Sequence, residues 1–310
     1  MAIAVLVLAA AGVAAFGWAL FRKAVIRREG SHDPEEALRR RARRCGIDPS
    51  PMLRSAQWLR SQSVRTVTME SFDALALTAD CLAAEGTPRG RVLLFHGYRS
   101  GPLQDFPMAA RELHRMGYDL ILVDQRCHGR SQGKYIGFGT LEQRDCRDWI
   151  DWANRRYGAE LPLFLYGVSM GATTVLMAAG EELPGNVKGV VADCGFTSAG
   201  DILRHELKTL MHLPAFPMLW VVNGINRLLA GWSFFERSTL DAMETIRLPV
   251  LFVHGGRDHF VPTDMTRRNF EACRSEKRLF LVEGADHGMS FAVDPEGYVR
   301  ELTCFLKKYE

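Results

Sequence analysis

Paired cysteines are the first thing this 310-residue chain lacks. Its seven cysteines, Cys45, Cys81, Cys127, Cys146, Cys194, Cys273 and Cys304, stand singly, with no Cys-x-x-Cys and no nearby Cys/His group at metal-ligand spacing. That excludes a disulfide scaffold and a zinc module, and scattered thiols suit a reducing compartment. Repeats and low-complexity tracts are missing too. With 13 prolines and 47% hydrophobic residues, the composition excludes collagen-like and disordered chains.

Basic surplus is absent from most of the chain. Residues 1–60 hold 11 Lys/Arg against 5 Asp/Glu, and residues 61–310 hold 28 against 31, so the net charge of +3 comes from the amino-terminal end. Nothing basic marks the main body, and nucleic acid is not an expected partner.

Charge of either sign is absent from Ala2 to Phe21. Twenty residues at about 1.5 Å each match the roughly 30 Å hydrocarbon core of a bilayer, so a single transmembrane helix is expected over 1–21. Arg22, Lys23, Arg27 and Arg28 follow at once, which by the positive-inside rule puts the rest in the cytoplasm of a cell with the chain anchored in its membrane. A cleaved signal peptide and a helix packed on the protein are the alternatives. The first usually carries its positive charge before the apolar run. Residues 22–62 are expected to form a basic linker, with Glu29–Pro51 extended or as a short surface helix holding the anchor beside anionic lipid. On this reading Met1–Arg28 is a dispensable tether.

From Val64 onward, short β-rich apolar runs alternate with longer amphipathic stretches, the pattern of a mostly parallel sheet covered by helices. Eight strands are predicted: 66–70, 74–82, 91–95, 120–123, 163–167, 187–192, 250–253 and 278–282, the first two as an antiparallel hairpin. Helices are predicted over 103–116, 141–157, 170–181, 263–273 and 295–308, the second opened by a capping box at Thr140–Gln143. Between Gly195 and Arg247 about 50 residues stand where a crossover needs a dozen or so. This insertion carries an apolar band from Leu210 to Val222. It either covers the sheet or forms a lid in which Leu213, Phe216 and Trp220 touch an apolar substrate.

Gly167-Val168-Ser169-Met170-Gly171 has the G-x-S-x-G spacing where a predicted strand gives way to a helix. A serine on so tight a turn must take a strained backbone that thrusts its hydroxyl outward, with small neighbours permitting it. Further motifs are Leu93-Leu94-Phe95-His96-Gly97-Tyr98, Val123-Asp124-Gln125-Arg126-Cys127-His128-Gly129-Arg130-Ser131, Phe252-Val253-His254-Gly255-Gly256-Arg257-Asp258 and Gly284-Ala285-Asp286-His287-Gly288. With these residues the chain resembles the α/β-hydrolase superfamily from about Val64 to Tyr309. It looks most like bacterial hydrolases near the monoacylglycerol lipase and serine aminopeptidase-like branch.

The resemblance implies an α/β-hydrolase fold over 63–310 with a lid at about 195–247. It also implies the order nucleophile, acid, histidine: Ser169, Asp258, His287. Serine needs a neutral imidazole to take its proton and a carboxylate to orient that imidazole, and Asp258 and His287 both follow predicted strands. Asp193 competes with Asp258 for the middle role, and the Gly-x-x-Asp loop of the family favours Asp258. Asp286 is too close to His287 in sequence, and Asp124 reads as a loop-fixing hydrogen bonder. His96 and His254 read as structural, His114, His205, His212 and His259 as surface or lid residues, and His32 as part of the linker. Oxyanion donors are expected in the backbone N–H groups of Met170 and Tyr98. The expected activity is hydrolysis of a small-molecule or lipid-like carboxylic ester, without metal or organic cofactor. Thioesterase, amidase or peptidase chemistry and a non-catalytic membrane scaffold are the alternatives.

Overall fold

The computed structural model describes residues 2–28, 33–209 and 211–310. Among them eight strands form one sheet: β1 (Arg65–Glu70), β2 (Ala76–Leu82), β3 (Gly90–Phe95), β4 (Tyr118–Asp124), β5 (Leu163–Val168), β6 (Val187–Asp193), β7 (Val250–Gly255) and β8 (Lys277–Val282). Their order is β1-β2-β4-β3-β5-β6-β7-β8, with β2 antiparallel to β1 and β4 and every other pair parallel. β3, β5 and β7 are buried along their whole length, as expected of strands covered on both faces.

The helices are α1 (Ala2–Ala24), α2 (Pro34–Cys45), α3 (Ser50–Ser61), α4 (Pro102–Asp105), α5 (Pro107–Arg115), α6 (Glu142–Tyr157), α7 (Met170–Ala179), α8 (Ala199–Thr209), α9 (Met218–Ala230), α10 (Thr239–Thr245), α11 (Thr263–Ala272), α12 (Ser290–Val293) and α13 (Pro295–Tyr309). One face of the sheet packs against α6, α7 and α10 through Trp149, Ile150, Val175 and Met243. The other packs against α5 and α13 through Ala110, Leu113, Leu302 and Phe305. The predicted capping box does not form. Thr140 Oγ1 has no hydrogen-bond partner among the described residues, and the carboxylate of Glu142 instead reaches back to accept from the N–H groups of Gly137 and Gly139. His114, expected at the surface, is buried, with Nε2 donating to the Ala83 carbonyl at 3.0 Å.

The amino-terminal expectation is corrected in one respect. Among the described residues no helix is long and apolar enough to cross a membrane. The carboxyl-terminal end of α1 is committed to the protein: a Cβ on Gly17 would stand 2.7 Å from Val221 of α9, and Leu20, Phe21 and Val25 are buried. The stretch read as a basic linker holds α2 and α3, packed through Leu38, Ala42, Leu53 and Ala56; residues 29–32 of it, His32 included, lie outside the described residues, as do Met1 and Leu210. The insertion after β6 contains α8, α9 and α10.

Candidate active site

Four carboxyl-terminal strand ends converge on one point. Ser169 follows β5 with φ 57° and ψ −117°, and its N–H donates to the Asp193 carbonyl at 2.8 Å. Only glycine fits around it. A Cβ on Gly171 would stand 1.7 Å from the Phe95 carbonyl oxygen, and one on Gly167 2.1 Å from the Gly171 oxygen. The turn therefore holds Ser169 in a left-handed conformation that L-residues rarely adopt, the strained elbow the motif predicts.

His287, on the loop after β8, places Nε2 2.8 Å from Ser169 Oγ and Nδ1 2.7 Å from Asp258 Oδ2. Asp258, on the loop after β7, accepts further hydrogen bonds at Oδ1 from the N–H groups of Phe260 (2.9 Å) and Val261 (2.8 Å). His254 Nε2 lies 3.1 Å from Asp258 Oδ2 and 3.0 Å from the Val261 carbonyl, while its Nδ1 faces Thr266 Oγ1 at 2.7 Å. With two acceptors at Nε2, the proton sits there and Nδ1 accepts from the threonine. His254 is thus structural, and it also supports the carboxylate.

Burial alone would raise the pKa of Asp258, but the neighbouring imidazoles of His287 and His254 hold it well below the ordinary carboxylate range. For His287 burial works toward a lower pKa, and the charge and hydrogen bond of Asp258 outweigh it, so the imidazole is raised above its usual value. Phe260 covers one edge of that ring, with centroids 4.9 Å apart.

Asp193 ends β6 nearby, but its carboxylate accepts from Tyr298 Oη at 2.9 Å and its Oδ1 has no hydrogen-bond partner among the described residues. Burial pushes it up to about 6. It does not reach the imidazole. Asp286 uses Oδ1 to accept from the His259 N–H, and Asp124 accepts from the N–H and Nε of Arg130, the loop-fixing role expected of it. Cys194 Sγ, Asp258 and His287 lie within 4.8 Å of one another. Both nitrogens of His287 are already engaged and burial pushes the Cys194 thiol up, so these donors do not fit a cation.

The loop after β3 comes within reach of the serine because residue 97 is glycine: a Cβ there would lie 3.1 Å from that of Ser169. The Gly97 N–H donates to Asp105 Oδ2 at 2.7 Å and the Arg99 N–H to His128 Nε2 at 2.8 Å. The Tyr98 N–H between them, like that of Met170, has no protein acceptor among the described residues. Met170 buries its side chain completely against other apolar residues, whereas Tyr98 lines the cavities on both sides of Ser169.

Several supports of this loop carry no motif in the sequence. Arg41 of α2 pairs with Asp105 at 2.7 Å and also donates to the Gln104 carbonyl. Tyr98 Oη donates to the Ala24 carbonyl at 2.8 Å, and Arg99 donates to the carbonyls of Lys23 and Ile26. Arg27 in turn donates to the carbonyls of Gly129 and Ser131. The one available signal was periodicity, because Leu38, Arg41, Ala42 and Cys45 share a face at helical spacing.

Ser169 opens onto two cavities. One of about 190 Å³ is the more polar of the two, with Arg41, Ser100, Asp105, Asp286 and His287 in its wall. The other, about 280 Å³, is mostly apolar, with Leu20, Phe138, Ile202, Leu207, Leu219 and Val222 among its lining residues. The lid expectation is corrected in detail. Phe216 and Trp220 are 71% and 49% exposed and Leu213 packs beside the cavity without lining it, so from α9 it is Leu219 and Val222, one helical turn apart, that face inward.

The family model described as serine aminopeptidase, S33, matches residues 86–229. The uncharacterized protein YqkD of Bacillus subtilis is 28% identical over 225 residues, 73% of either chain. Caffeoylshikimate esterase of Arabidopsis thaliana is 25% identical over 170 residues, 53% of this chain and 50% of that one. Among solved structures, an esterase of Pyrococcus furiosus superposes with a TM-score of 0.66 at 22% identity, covering 84% of this chain and 94% of its own.

Proposed function

We propose that this enzyme, which resembles the α/β-hydrolase superfamily, is a serine hydrolase of small-molecule carboxylic esters with an apolar acyl or alcohol part. One observation carries this reading: the hydrogen-bonded series Asp258, His287, Ser169 opens directly onto an apolar cavity.

In the proposed reaction Ser169 Oγ bonds to the ester carbonyl carbon as His287 Nε2 takes the hydroxyl proton. The negative oxygen of the tetrahedral intermediate accepts from the N–H groups of Met170 and Tyr98. His287 gives its proton to the leaving oxygen as the C–O bond breaks, leaving an acyl-enzyme. Water then repeats the sequence and frees the acid. Asp258 keeps the Nδ1–H tautomer and stabilises the imidazolium without itself taking the proton.

Labelling by a fluorophosphonate, lost in Ser169→Ala, together with turnover of a panel of 4-nitrophenyl esters from acetyl to long chains, tests the proposal. A matched anilide in the panel separates ester from amide chemistry, and absence of both labelling and turnover in the folded protein overturns it. For location we propose the cytoplasmic side of the cell membrane. Exposed Val13, Phe16 and Trp18 on α1, followed by Arg22 and Lys23, support that reading. Fractionation of cells expressing Phe16→Ser/Trp18→Ser checks it, since an unchanged distribution would count against it.

A further inference from the structure

Ester cleavage by Ser169, His287 and Asp258 leaves one acidic group of the active-site cavity without a role. Glu206 of α8 lines the apolar cavity beside Ser169. Its Oε1 is shut off from solvent and has no hydrogen-bond partner among the described residues. A carboxyl oxygen left unpaired in apolar surroundings is costly, and a leucine would serve a purely apolar ligand better. The surrounding wall offers it little. From α1 come Leu20, Ala24 and Lys23, and from the loop after β3 comes Arg99, whose guanidinium is given to the carbonyls of Lys23 and Ile26; neither cation makes an ion pair with Glu206 within 4 Å among the described residues. From α9 come Leu219 and Val222.

We propose that Glu206 is a specificity residue that binds a hydroxyl group on the part of the substrate held in the apolar cavity, so that the preferred substrates are hydroxyl-bearing esters. This rests on the ester-hydrolase reading above. A hydroxyl both donates and accepts, and a carboxyl group answers it in either protonation state. Burial, opposed by His287, reinforced by Asp258 and opposed again by Lys23, pushes the group up to about 7, so a neutral acid is present near neutral pH. A neutral partner suits such a group better than an ammonium, which the apolar wall would have to strip of water. Glu206 does no chemistry in this scheme; it decides which ester the relay meets.

The test uses the full chain and matched pairs of octanoyl esters, each with and without one hydroxyl group, placed along the acyl chain in one series and on the alcohol in the other. Wild type is expected to prefer the hydroxylated member of at least one pair by about 10- to 100-fold in kcat/KM. Glu206→Leu and Glu206→Met should reverse that preference, raising the plain ester relative to its partner. Glu206→Gln should keep part of it, because an amide still donates and accepts. Rates of fluorophosphonate labelling report that each variant is folded, and the two apolar variants back each other up. Equal ratios in wild type and in the labelled apolar variants overturn the proposal, as does a wild-type preference for an amino-substituted chain. If wild type is labelled yet turns over neither member of any pair, it is the ester reading itself that fails.

Discussion

The strand ends beneath Ser169 and the helices above it are built by different means. Below, Ser169, Asp258 and His287 each sit a few residues beyond a parallel strand, β5, β7 and the edge strand β8, and backbone N–H groups fix the carboxylate. Above, the cavity wall is assembled from α1 together with α8 and α9, some 175 residues further along the chain, and α1 is joined to the loop after β3 by the side chains of Tyr98 and Arg99, which reach its last carbonyls. The contrast separates two tasks. Groups proposed to handle protons are positioned by the sheet, and groups proposed to choose the substrate are positioned by the helical cover.

The sharpest way to break that division is at the sheet. Ser169→Ala or His287→Ala should lower kcat by about 10⁴ or more, with the double variant little worse, because the two act as one unit. Asp258→Asn should cost nearly as much, since an amide stabilises neither the required tautomer nor the imidazolium. Asp193→Asn, whose partner is Tyr298, should cost far less. Steady-state rates, with circular dichroism as the folding control, decide it: a dead Asp193→Asn beside a near-normal Asp258→Asn would move the acid to the end of β6.

The sheet was legible from the sequence because its inner strands carry short apolar runs, such as Val92–Phe95, Leu120–Val123 and Val250–Val253, set between longer amphipathic stretches. All eight predicted strands lie within two residues of those observed at either end, and the serine, aspartate and histidine sit where the strand-end argument put them. The cover was not legible. Nothing local in Ala2–Phe21 distinguishes a helix that enters lipid from one whose last turns pack on α9, because both need the same apolar residues. Arg41 was hidden in a run of arginines, and its pairing with Asp105 depends on a contact 64 residues away. On α9 the apolar band extends around the helix, so composition could not say which of Leu219 and Trp220 faces the cavity.

A second prediction tests whether the cover reaches the chemistry. The sequence alone suggests that Met1–Arg28 can be removed freely. The structure gives the opposite expectation, because the carbonyls of Lys23 and Ala24 hold Arg99 and Tyr98, and Leu20 lines the cavity. Removing residues 1–28 should lower kcat/KM on apolar esters by about 10- to 100-fold, the effect of misplacing an oxyanion donor and opening the pocket. Arg41→Ala, which frees Asp105 from its partner, should act in the same direction through kcat more than KM, with Arg41→Lys recovering part. A truncated protein that is folded and fully active would restore the tether.

The pH profile sharpens the sheet side of the comparison. His287 must be neutral to take the serine proton, and Asp258 raises its pKa, so activity should fall as pH drops through a midpoint above about 6.5, the ordinary imidazole value. In the residual activity of Asp258→Asn that midpoint should move down, because burial then acts on the imidazole without the carboxylate. Measuring kcat/KM against pH in both proteins checks the sign, and an identical midpoint would detach Asp258 from His287.

The smallest effect distinguishes two faces of one helix. Leu219 is buried and lines the cavity, whereas Trp220, its neighbour in sequence, is 49% exposed and stacks near Phe216 and Phe235 outside it. Leu219→Ser withdraws apolar surface from whatever lies in the cavity. At about 25 cal/mol per Å² it should lower the ratio of octanoyl to acetyl ester turnover by roughly tenfold, since an acetyl group has little surface to lose. Trp220→Ser removes the larger side chain, yet from the outer face, so the same ratio should stay within about twofold. A larger change from Trp220 than from Leu219 would mean that the helix turns its other side to the substrate, and the cover would then have to move before the ester can bind.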